Sequence, residues 1–272
     1  MKLGLIGYPL GHTLSPLIQN AMLEQAGILG SYEAWPIIDL AEFVAKLQRQ
    51  KIDGFNITIP YKEKILPYLQ KIDPIALKIG AVNTVVIKQG KLTGYNTDLA
   101  GFLQPLAKFK AELKGETAVV LGAGGAARAA CYGLISLGMT KIYLVNRDEQ
   151  RAVDLIKECK LTQAELCSIK DITSISAKLL VNTTPVGMYP NFNGMPALSE
   201  EVFQQQTIFY DLIYRPKMTL LLQKAHAAGC LCINGMEMLI EQAAAAFFLW
   251  TGFRVDTKSI AERVQGSFAD EK

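Results

Sequence analysis

Short apolar runs alternate with helical patterns along most of this chain, and this rhythm constrains its fold more than any other feature. Lys2 to Gly7 is predicted as a strand, Leu14 to Ala26 as a helix and Tyr32 to Ile37 as the next strand. A helix over Leu40 to Gln50 and a strand over Gly54 to Ile59 continue the pattern. Strands and helices in this order indicate an α/β fold with a mostly parallel sheet.

One segment interrupts the alternation. Residues 81 to 95 hold two β-rich runs on either side of Gln89-Gly90, and this arrangement predicts a hairpin. Asp98 to Leu113 follows as a predicted helix, polar enough to link two domains. We therefore expect one domain from residues 1–100 with 236–272.

A second α/β unit, expected over residues 101–235, begins its strands near Thr117. Its predicted elements are a strand over Ala118 to Leu121, a helix over Ala126 to Leu137, and strands over Lys141 to Asn146, Leu179 to Thr183 and Thr207 to Leu212. The last part of the chain returns to helices.

Composition excludes several classes of protein. The 28 basic and 25 acidic residues nearly balance, and no basic cluster is present to follow a phosphate backbone, so we expect no nucleic-acid partner. The apolar stretch 243–250 is too short to span a bilayer and is predicted as a buried helix. None of the five cysteines has zinc or redox spacing, so we expect reduced thiols, no metal site and a cytoplasmic location.

The stretch Gly122-Ala123-Gly124-Gly125-Ala126 follows a predicted strand and opens a helix, with Gly122, Gly124 and Ala127 in G-x-G-x-x-[GA] spacing. The first glycine permits the turn, the second lets backbone reach a pyrophosphate, and a small third residue lets helix and strand pack. Free N–H groups at the helix start would then hold the phosphates. We predict a Rossmann-type dinucleotide-binding domain here, although a purely structural turn is the alternative.

The end of the next strand bears on which dinucleotide binds. An NAD site would place a carboxylate there, whereas this chain has Asn146 and Arg147, with Arg151 one helical turn further. A guanidinium suits the 2′-phosphate of NADP, which we therefore favour over NAD. Asp148 weakens this prediction, because it could repel that phosphate or pair with Arg151.

Four clusters place polar side chains at the carboxyl ends of predicted strands, where ligands bind in open parallel sheets. Their hydroxyl, amide, ammonium and carboxylate groups suit a polyol carboxylate. Singly, Ser15-Pro16 and Thr97-Asp98 could be helix caps, and Lys62 a surface lysine. The clusters are Gly11-His12-Thr13-Leu14-Ser15-Pro16, Asn56-Ile57-Thr58-Ile59-Pro60-Tyr61-Lys62, Gly80-Ala81-Val82-Asn83-Thr84 and Gly94-Tyr95-Asn96-Thr97-Asp98.

In order and spacing, these clusters resemble those of the shikimate dehydrogenase family. The resemblance runs through nearly the whole chain, and its patterns are approximately G-x-P-x-x-H-S-x-S-P, N-[VI]-T-x-P-x-K, G-A-x-N-T and G-x-N-T-D. Thr13 stands where the family usually has serine and keeps the hydroxyl. Further matches are Asn182-Thr183-Thr184-Pro185-Val186-Gly187-Met188, Tyr210-Asp211-Leu212-Ile213-Tyr214 and Asn234-Gly235-Met236.

The resemblance implies NADPH-dependent reversible reduction of 3-dehydroshikimate to shikimate, on the chorismate pathway to the aromatic amino acids. It implies that Lys62 acts as general acid in reduction, oriented by Asp98. Thr13 and Ser15 would bind the substrate carboxylate, while Leu212 and Gly235 would approach the nicotinamide. Contacts to the ring hydroxyls or the carboxylate would come from Asn56, Thr58, Asn83, Tyr214 and Gln242.

Two other functions stay open. An NAD-preferring quinate/shikimate dehydrogenase is compatible with Asp148, and a non-catalytic sensor of shikimate or quinate could share the fold. We expect closure of a cleft between two lobes to exclude water during hydride transfer. The expected state is a monomer or homodimer with a small-molecule substrate, NADP as cofactor and no membrane partner.

Overall fold

A computed structural model describes residues 1–11, 13–47 and 50–266 of the 272. The chain divides into two compact units. The first unit consists of Met1–Gly101 and Ile240–Lys272, and the second is Phe102–Leu239. Within the described ranges, no helix is both long and apolar enough to cross a membrane. His12, which belongs to the first polar cluster, lies outside those ranges and is not described further. The same holds for residues 48–49 of the second predicted helix.

The first unit contains a six-stranded sheet in the order β2-β1-β3-β5-β6-β4. Its strands run parallel except β5, which is antiparallel to both of its neighbours, β3 and β6. The prediction of a mostly parallel sheet is confirmed, with β5 as the exception. The elements are β1 (Lys2–Gly7), α1 (Ser15–Gln25), β2 (Ser31–Pro36), α2 (Leu40–Leu47), β3 (Gly54–Ile57), β4 (Lys71–Ile72), α3 (Pro74–Ile79), β5 (Thr84–Lys88), β6 (Lys91–Tyr95) and α4 (Asp98–Leu103), whose last two residues belong to the second unit.

The predicted hairpin is the origin of that antiparallel strand. Gln89 and Gly90 join β5 to β6 with φ angles of 52° and 73°, the positive values that a tight two-residue hairpin turn requires. As a result, the amino end of β5 lies beside the carboxyl ends of β3 and β6. Residues near Asn56, Asn83 and Thr97 therefore meet at one edge of the sheet.

The second unit contains six strands, all parallel, in the order β12-β11-β10-β7-β8-β9. The chain winds outward from β7 in one direction and from β10 in the other, so the order reverses between these two strands. Ligands bind at such a reversal in open α/β sheets. The elements are α5 (Lys110–Leu113), β7 (Thr117–Leu121), α6 (Gly125–Ser136), β8 (Lys141–Val145), α7 (Glu149–Glu158), β9 (Ala164–Leu166), β10 (Leu179–Asn182), β11 (Ile208–Asp211), α8 (Leu220–Ala227) and β12 (Leu231–Ile233).

The prediction of one polar linking helix over 98–113 is wrong. The segment breaks into α4, a 3₁₀ turn and α5, and Pro105 lies at the break, where it lacks an N–H for helical bonding. Its apolar side chains are core rather than linker. Phe102, Leu106 and Leu113 are fully buried in the second unit.

The chain ends with α9 (Met236–Thr251) and α10 (Thr257–Gly266). The predicted helix at 243–250 is confirmed, but it is buried on one face only. Ala243, Ala246, Phe247 and Trp250 are buried at helical spacing, whereas Phe248 is exposed. Trp250 packs where a side chain on Gly54 would stand, so this part of α9 closes one face of the first sheet.

Candidate functional site

An ion pair lies at the sheet edge of the first unit. Lys62 Nζ donates to Asp98 Oδ2 at 2.6 Å, and the two side chains are 17% and 7% exposed. Asp98 begins α4 directly after β6, whereas Lys62 comes from the segment after β3. The ammonium keeps partial access to solvent, and its carboxylate partner is held inside. The Lys62 ammonium can therefore contact a small ligand while Asp98 stays buried.

Asn83 connects several residues at this edge of the sheet through its side-chain amide. Its Nδ2 donates to Asp98 Oδ1 at 2.8 Å, to Thr97 Oγ1 at 2.9 Å and to Gln242 Oε1 at 3.3 Å. Its Oδ1 accepts from the backbone N of Thr97 at 2.7 Å. Gln242 reaches it from α9, within the same unit. One amide thus orients the carboxylate that faces Lys62.

The order of the strands corrects one detail of the sequence prediction. Asn83 does not follow the carboxyl end of a parallel strand; it precedes the antiparallel strand β5. It reaches the same edge because β5 enters the sheet from that side. Asn56, in β3, donates from Nδ2 to the Asn83 carbonyl at 3.1 Å and so belongs to the same cluster.

Thr13 and Ser15 lie together at the start of α1. The Thr13 hydroxyl donates to Ser15 Oγ at 3.2 Å and accepts from the Ser15 backbone N at 3.2 Å. The N-cap position belongs to Leu14, and no side chain bonds there, so Ser15 is not the helix cap that its sequence also allowed. Both hydroxyls are half-buried. Thr58 is also half-buried, with its methyl against Gly7.

The glycine turn of the second unit joins β7 to α6. Gly122 has a φ of 110°, and a Cβ there would collide with the Thr183 side chain beyond β10. Gly124, in contrast, faces open space, with no heavy atom within 4 Å of an added Cβ. Gly125 and Ala126 then form the first turn of a helix whose starting N–H groups have no partner within the helix. This cradle fits the pyrophosphate of a dinucleotide.

Asn146, Arg147 and Arg151 follow β8. Asn146 Nδ2 donates to the carbonyl of Asp148 at 2.7 Å, which shapes the turn. Asp148 is the N-cap of α7, and its Oδ1 accepts from the backbone N of Arg151 at 3.4 Å. Arg147 and Arg151 are both exposed, and neither takes part in an ion pair within the described ranges. This arrangement leaves two cations available to an anionic ligand.

Family models for shikimate dehydrogenases match three parts of the chain. They are the shikimate dehydrogenase substrate binding domain at residues 5–85, shikimate/quinate 5-dehydrogenase at 105–184 and the shikimate 5′-dehydrogenase C-terminal domain at 235–265. A curated shikimate dehydrogenase (NADP⁺) of Caldanaerobacter subterraneus subsp. tengcongensis is 41% identical over 269 residues, covering 97% of this chain and 96% of that protein. The chain belongs to the shikimate dehydrogenase family. This confirms the resemblance that the sequence motifs indicate.

Solved structures of the shikimate dehydrogenase family share the fold. The shikimate 5-dehydrogenase of Thermus thermophilus, in complex with NADP(H) and shikimate, has a TM-score of 0.87 at 38% identity, over 98% of this chain and 99% of that one. The quinate dehydrogenase of Corynebacterium glutamicum, in complex with NAD, has a TM-score of 0.90 at 30% identity, over 98% and 99%. The predicted α/β fold with a Rossmann-type unit is confirmed.

A second polar cluster lies in the second unit, at the end of the parallel strands β10 and β11. Asp211, at the end of β11, is fully buried and accepts from Asn182 Nδ2 at 3.0 Å, from the backbone N of Ile213 at 3.1 Å and from the Thr219 hydroxyl at 2.7 Å. Burial raises the pKa of Asp211 to about 6, and these three hydrogen bonds oppose the rise. The carboxyl ties β10, the loop after β11 and the start of α8 together.

The remaining predicted residues lie on two loops. Leu212 and Tyr214 are on the loop after β11, which Asp211 contacts, and Gly235 is on the loop between β12 and α9. The backbone N of Leu212 donates to the Asn182 carbonyl at 3.0 Å, and that of Gly235 donates to the Ile213 carbonyl at 3.0 Å. A Cβ on Gly235 would collide with the Leu212 carbonyl oxygen, so Leu212 and Gly235 are in backbone contact. Tyr214 follows on the same loop, half-buried, in the second unit.

The sequence indicates no catalytic or substrate-binding role for three side chains of these clusters. Thr84 and Thr97 lie inside motifs that were recognised, but only their position in the fold shows that their hydroxyls bond to Asn83. Tyr32 has no signal in the sequence beyond being an aromatic residue in a strand. In the structure its hydroxyl donates to Asn56 Oδ1 at 2.7 Å.

Proposed function

We propose that this chain catalyses the reversible reduction of 3-dehydroshikimate to shikimate with NADPH, a step of chorismate and aromatic amino acid biosynthesis. One observation carries the proposal: the 2.6 Å pair of Lys62 and Asp98, surrounded by amide and hydroxyl groups at one sheet edge. The curated relative bears the name of that NADP⁺-dependent activity, and the Thermus thermophilus enzyme holds shikimate and NADP(H).

Lys62 delivers the proton. When bound, NADPH supplies the hydride to the carbonyl carbon, and negative charge develops on the carbonyl oxygen. The Lys62 ammonium stabilises that charge and donates its proton to the oxygen; in the oxidation direction, the neutral amine takes the proton back. Asp98 orients the ammonium through the bond to Oδ2 and is itself held by Asn83 through Oδ1.

The remaining polar groups of the first unit hold the substrate. Thr13 and Ser15 offer two adjacent hydroxyls to the carboxylate. Thr58, Asn83 and Gln242 contact the ring hydroxyls or the carboxylate. Asn56 is 6% exposed and gives its amide hydrogens to the Asn83 carbonyl and to Thr84 Oγ1. Its direct contact with substrate stays a prediction, and Asn56 supports the site by holding Asn83.

The second unit holds the dinucleotide. Backbone N–H groups from Gly124 to Ala126 bind the pyrophosphate, and the open space beside Gly124 admits it. Arg147 and Arg151 bind the 2′-phosphate, since both guanidinium groups are exposed beyond β8. Leu212 and Tyr214 lie on the loop that Asp211 holds, and Gly235 lies against Leu212 on the loop before α9. Leu212 and Gly235 approach the nicotinamide.

Steady-state rates test this proposal directly. The purified chain is assayed with shikimate or quinate, each with NADP⁺ or NAD⁺, by the absorbance of the reduced nicotinamide. We expect kcat/KM to be highest for shikimate with NADP⁺. Absence of turnover with all four pairs, together with tight binding of shikimate in calorimetry, would instead support a non-catalytic sensor.

A second candidate is a quinate/shikimate dehydrogenase that prefers NAD. Asp148 favours it, because this acidic residue lies between Arg147 and Arg151 in sequence, next to the two arginines proposed for the 2′-phosphate. The similar Corynebacterium glutamicum protein is a quinate dehydrogenase in complex with NAD. The same assay separates the two candidates, since this one requires a higher kcat/KM with NAD⁺ than with NADP⁺.

A further inference from the structure

Tyr32 carries a buried hydroxyl that the proposed mechanism does not use. The side chain is 2% exposed in β2, and its hydroxyl donates to Asn56 Oδ1 at 2.7 Å. Burial raises the pKa of Tyr32 well above its ordinary value, so the group stays a neutral donor. Its ring packs near Trp250 with centroids 6.2 Å apart, which fixes where the hydroxyl points.

The bond from Tyr32 fixes the orientation of the Asn56 amide. Because Oδ1 faces the tyrosine hydroxyl, Nδ2 faces the other way and donates to the Asn83 carbonyl at 3.1 Å and to Thr84 Oγ1 at 2.9 Å. A flipped amide would place Oδ1 against the Asn83 carbonyl oxygen, and two acceptors would then repel each other. The donor at the buried end therefore excludes the flipped arrangement.

The hydrogen bonds run in the same donor-to-acceptor direction from Asn56 as far as Asp98. Thr84 accepts from Asn56, so its single hydroxyl proton is directed onward; the nearest acceptor is Asn83 Oδ1 at 3.0 Å, with Thr97 Oγ1 at 3.3 Å. With Oδ1 engaged by Thr84 and by the backbone N of Thr97, Asn83 presents Nδ2 to Asp98. Asp98 in turn accepts from Lys62.

We infer that Tyr32 is a positioning residue for catalysis, whose hydroxyl sets the direction of a buried hydrogen-bond chain through Asn56, Thr84 and Asn83 to the Lys62–Asp98 pair. The inference rests on the proposed function, since it concerns the proton donor of that reaction. It adds a residue of β2 that touches neither substrate nor dinucleotide. The backbone N of Thr97 holds Asn83 independently, so loss of Tyr32 weakens the arrangement without inverting it.

The test is Tyr32→Phe, which removes the hydroxyl and keeps the ring beside Trp250. We expect kcat for shikimate oxidation to fall by about tenfold, because Asn56 loses a partner in a buried site. The KM for NADP⁺ should not change, and the pH at half-maximal kcat should move, because the environment of the proton donor changes. Tyr132→Phe is the control, since it removes a partly buried tyrosine hydroxyl elsewhere, which donates to the Cys159 carbonyl at 3.0 Å. The control should lose stability at most.

A double-mutant cycle separates positioning from general loss of stability. Thr84→Val breaks the same chain at its middle and serves also if Tyr32→Phe fails to fold. We expect Tyr32→Phe to lower kcat little further in a Thr84→Val background, because the chain is already broken. Fully additive losses, or wild-type kcat and pH profile in folded Tyr32→Phe, would overturn the positioning role. An unaltered chain that does not oxidise shikimate would overturn the proposed function, and this inference with it.

Discussion

The first unit builds its candidate site from side chains that bond to one another, whereas the second builds its candidate site mainly from backbone. At the edge of the mixed sheet, Lys62 bonds to Asp98 at 2.6 Å and Asn83 bonds to Asp98 at 2.8 Å. At the turn after β7, Gly124 faces open space, and the groups on offer are N–H donors at the start of α6.

The difference matches what each site has to do. Proton transfer needs an acid held within hydrogen-bond reach of one oxygen, so rigid mutual contacts among side chains are useful. Phosphate binding needs several donors pointing at one charge, which a helix start supplies without any particular side chain. Substitutions should therefore affect rate in the first unit, and cofactor affinity or stability in the second.

The largest expected effect is that of Lys62→Ala. Removing the proposed acid should lower kcat by on the order of 10² or more, with little change in the KM for NADP⁺. Lys62→Arg should also lose most of kcat, because a guanidinium retains its proton at working pH. Initial rates with shikimate and NADP⁺ measure both variants.

The control for this prediction is Lys64→Ala, an exposed lysine two positions along the chain. Its kcat should match that of the unaltered protein. Near-normal turnover in folded Lys62→Ala would show that the proton comes from another group, and the contrast between the two sites would then lose its chemical basis.

The same contrast explains which features the sequence could predict. The glycine turn was readable because Gly122 and Gly124 are required by local backbone geometry, which depends on neighbours in sequence. The hairpin at Gln89-Gly90 is readable for the same reason, but the pairing of β5 with β3 joins residues far apart in sequence, so the route by which Asn83 reaches this edge of the sheet cannot be predicted locally. Tyr32 shows the limit most clearly, since its role depends on a bond to Asn56, 24 positions away.

Asp211 is the exception in the second unit, because its buried side chain joins the loop after β11 to β10 and to the start of α8. Burial raises its pKa from 3.8 to about 6, so the native state binds this proton more tightly than the unfolded state does. The free energy of unfolding should therefore fall as pH rises through this window. Asp211→Asn keeps polar contacts without titrating and should remove that slope.

Urea unfolding of both proteins between about pH 4 and pH 7 tests the titration of Asp211. The unfolding free energy of Asp211→Asn minus that of the unaltered chain should increase across this range by at most roughly 3 kcal/mol, the equivalent of the pKa shift. Parallel curves for the two proteins would mean that Asp211 does not titrate in this window.

Two glycines of one turn provide a sharper comparison within the second unit. Gly122→Ala forces a methyl group onto a φ of 110° and against Thr183, so it should cost about 1–3 kcal/mol of stability. Gly124→Ala meets no protein atom within 4 Å and should leave the melting temperature unchanged. It should still raise the KM for NADP⁺, because the methyl occupies the space proposed for the pyrophosphate. Calorimetry and kinetics on the pair check this; an unchanged KM in Gly124→Ala would place the dinucleotide elsewhere.

The smallest expected effect concerns the choice between the two dinucleotides. Arg147→Ala should raise the KM for NADPH by about tenfold, since a charge-assisted contact to the 2′-phosphate is lost, and should change the KM for NADH little. Lys157→Ala, an exposed cation at the far end of α7, is the control and should alter neither. In this structure the Asp148 carboxylate accepts from the start of α7, so it is engaged as a helix cap beside the arginines. Equal changes with both cofactors would show that Arg147 does not read the 2′-phosphate, and Asp148 would then favour the NAD-dependent alternative.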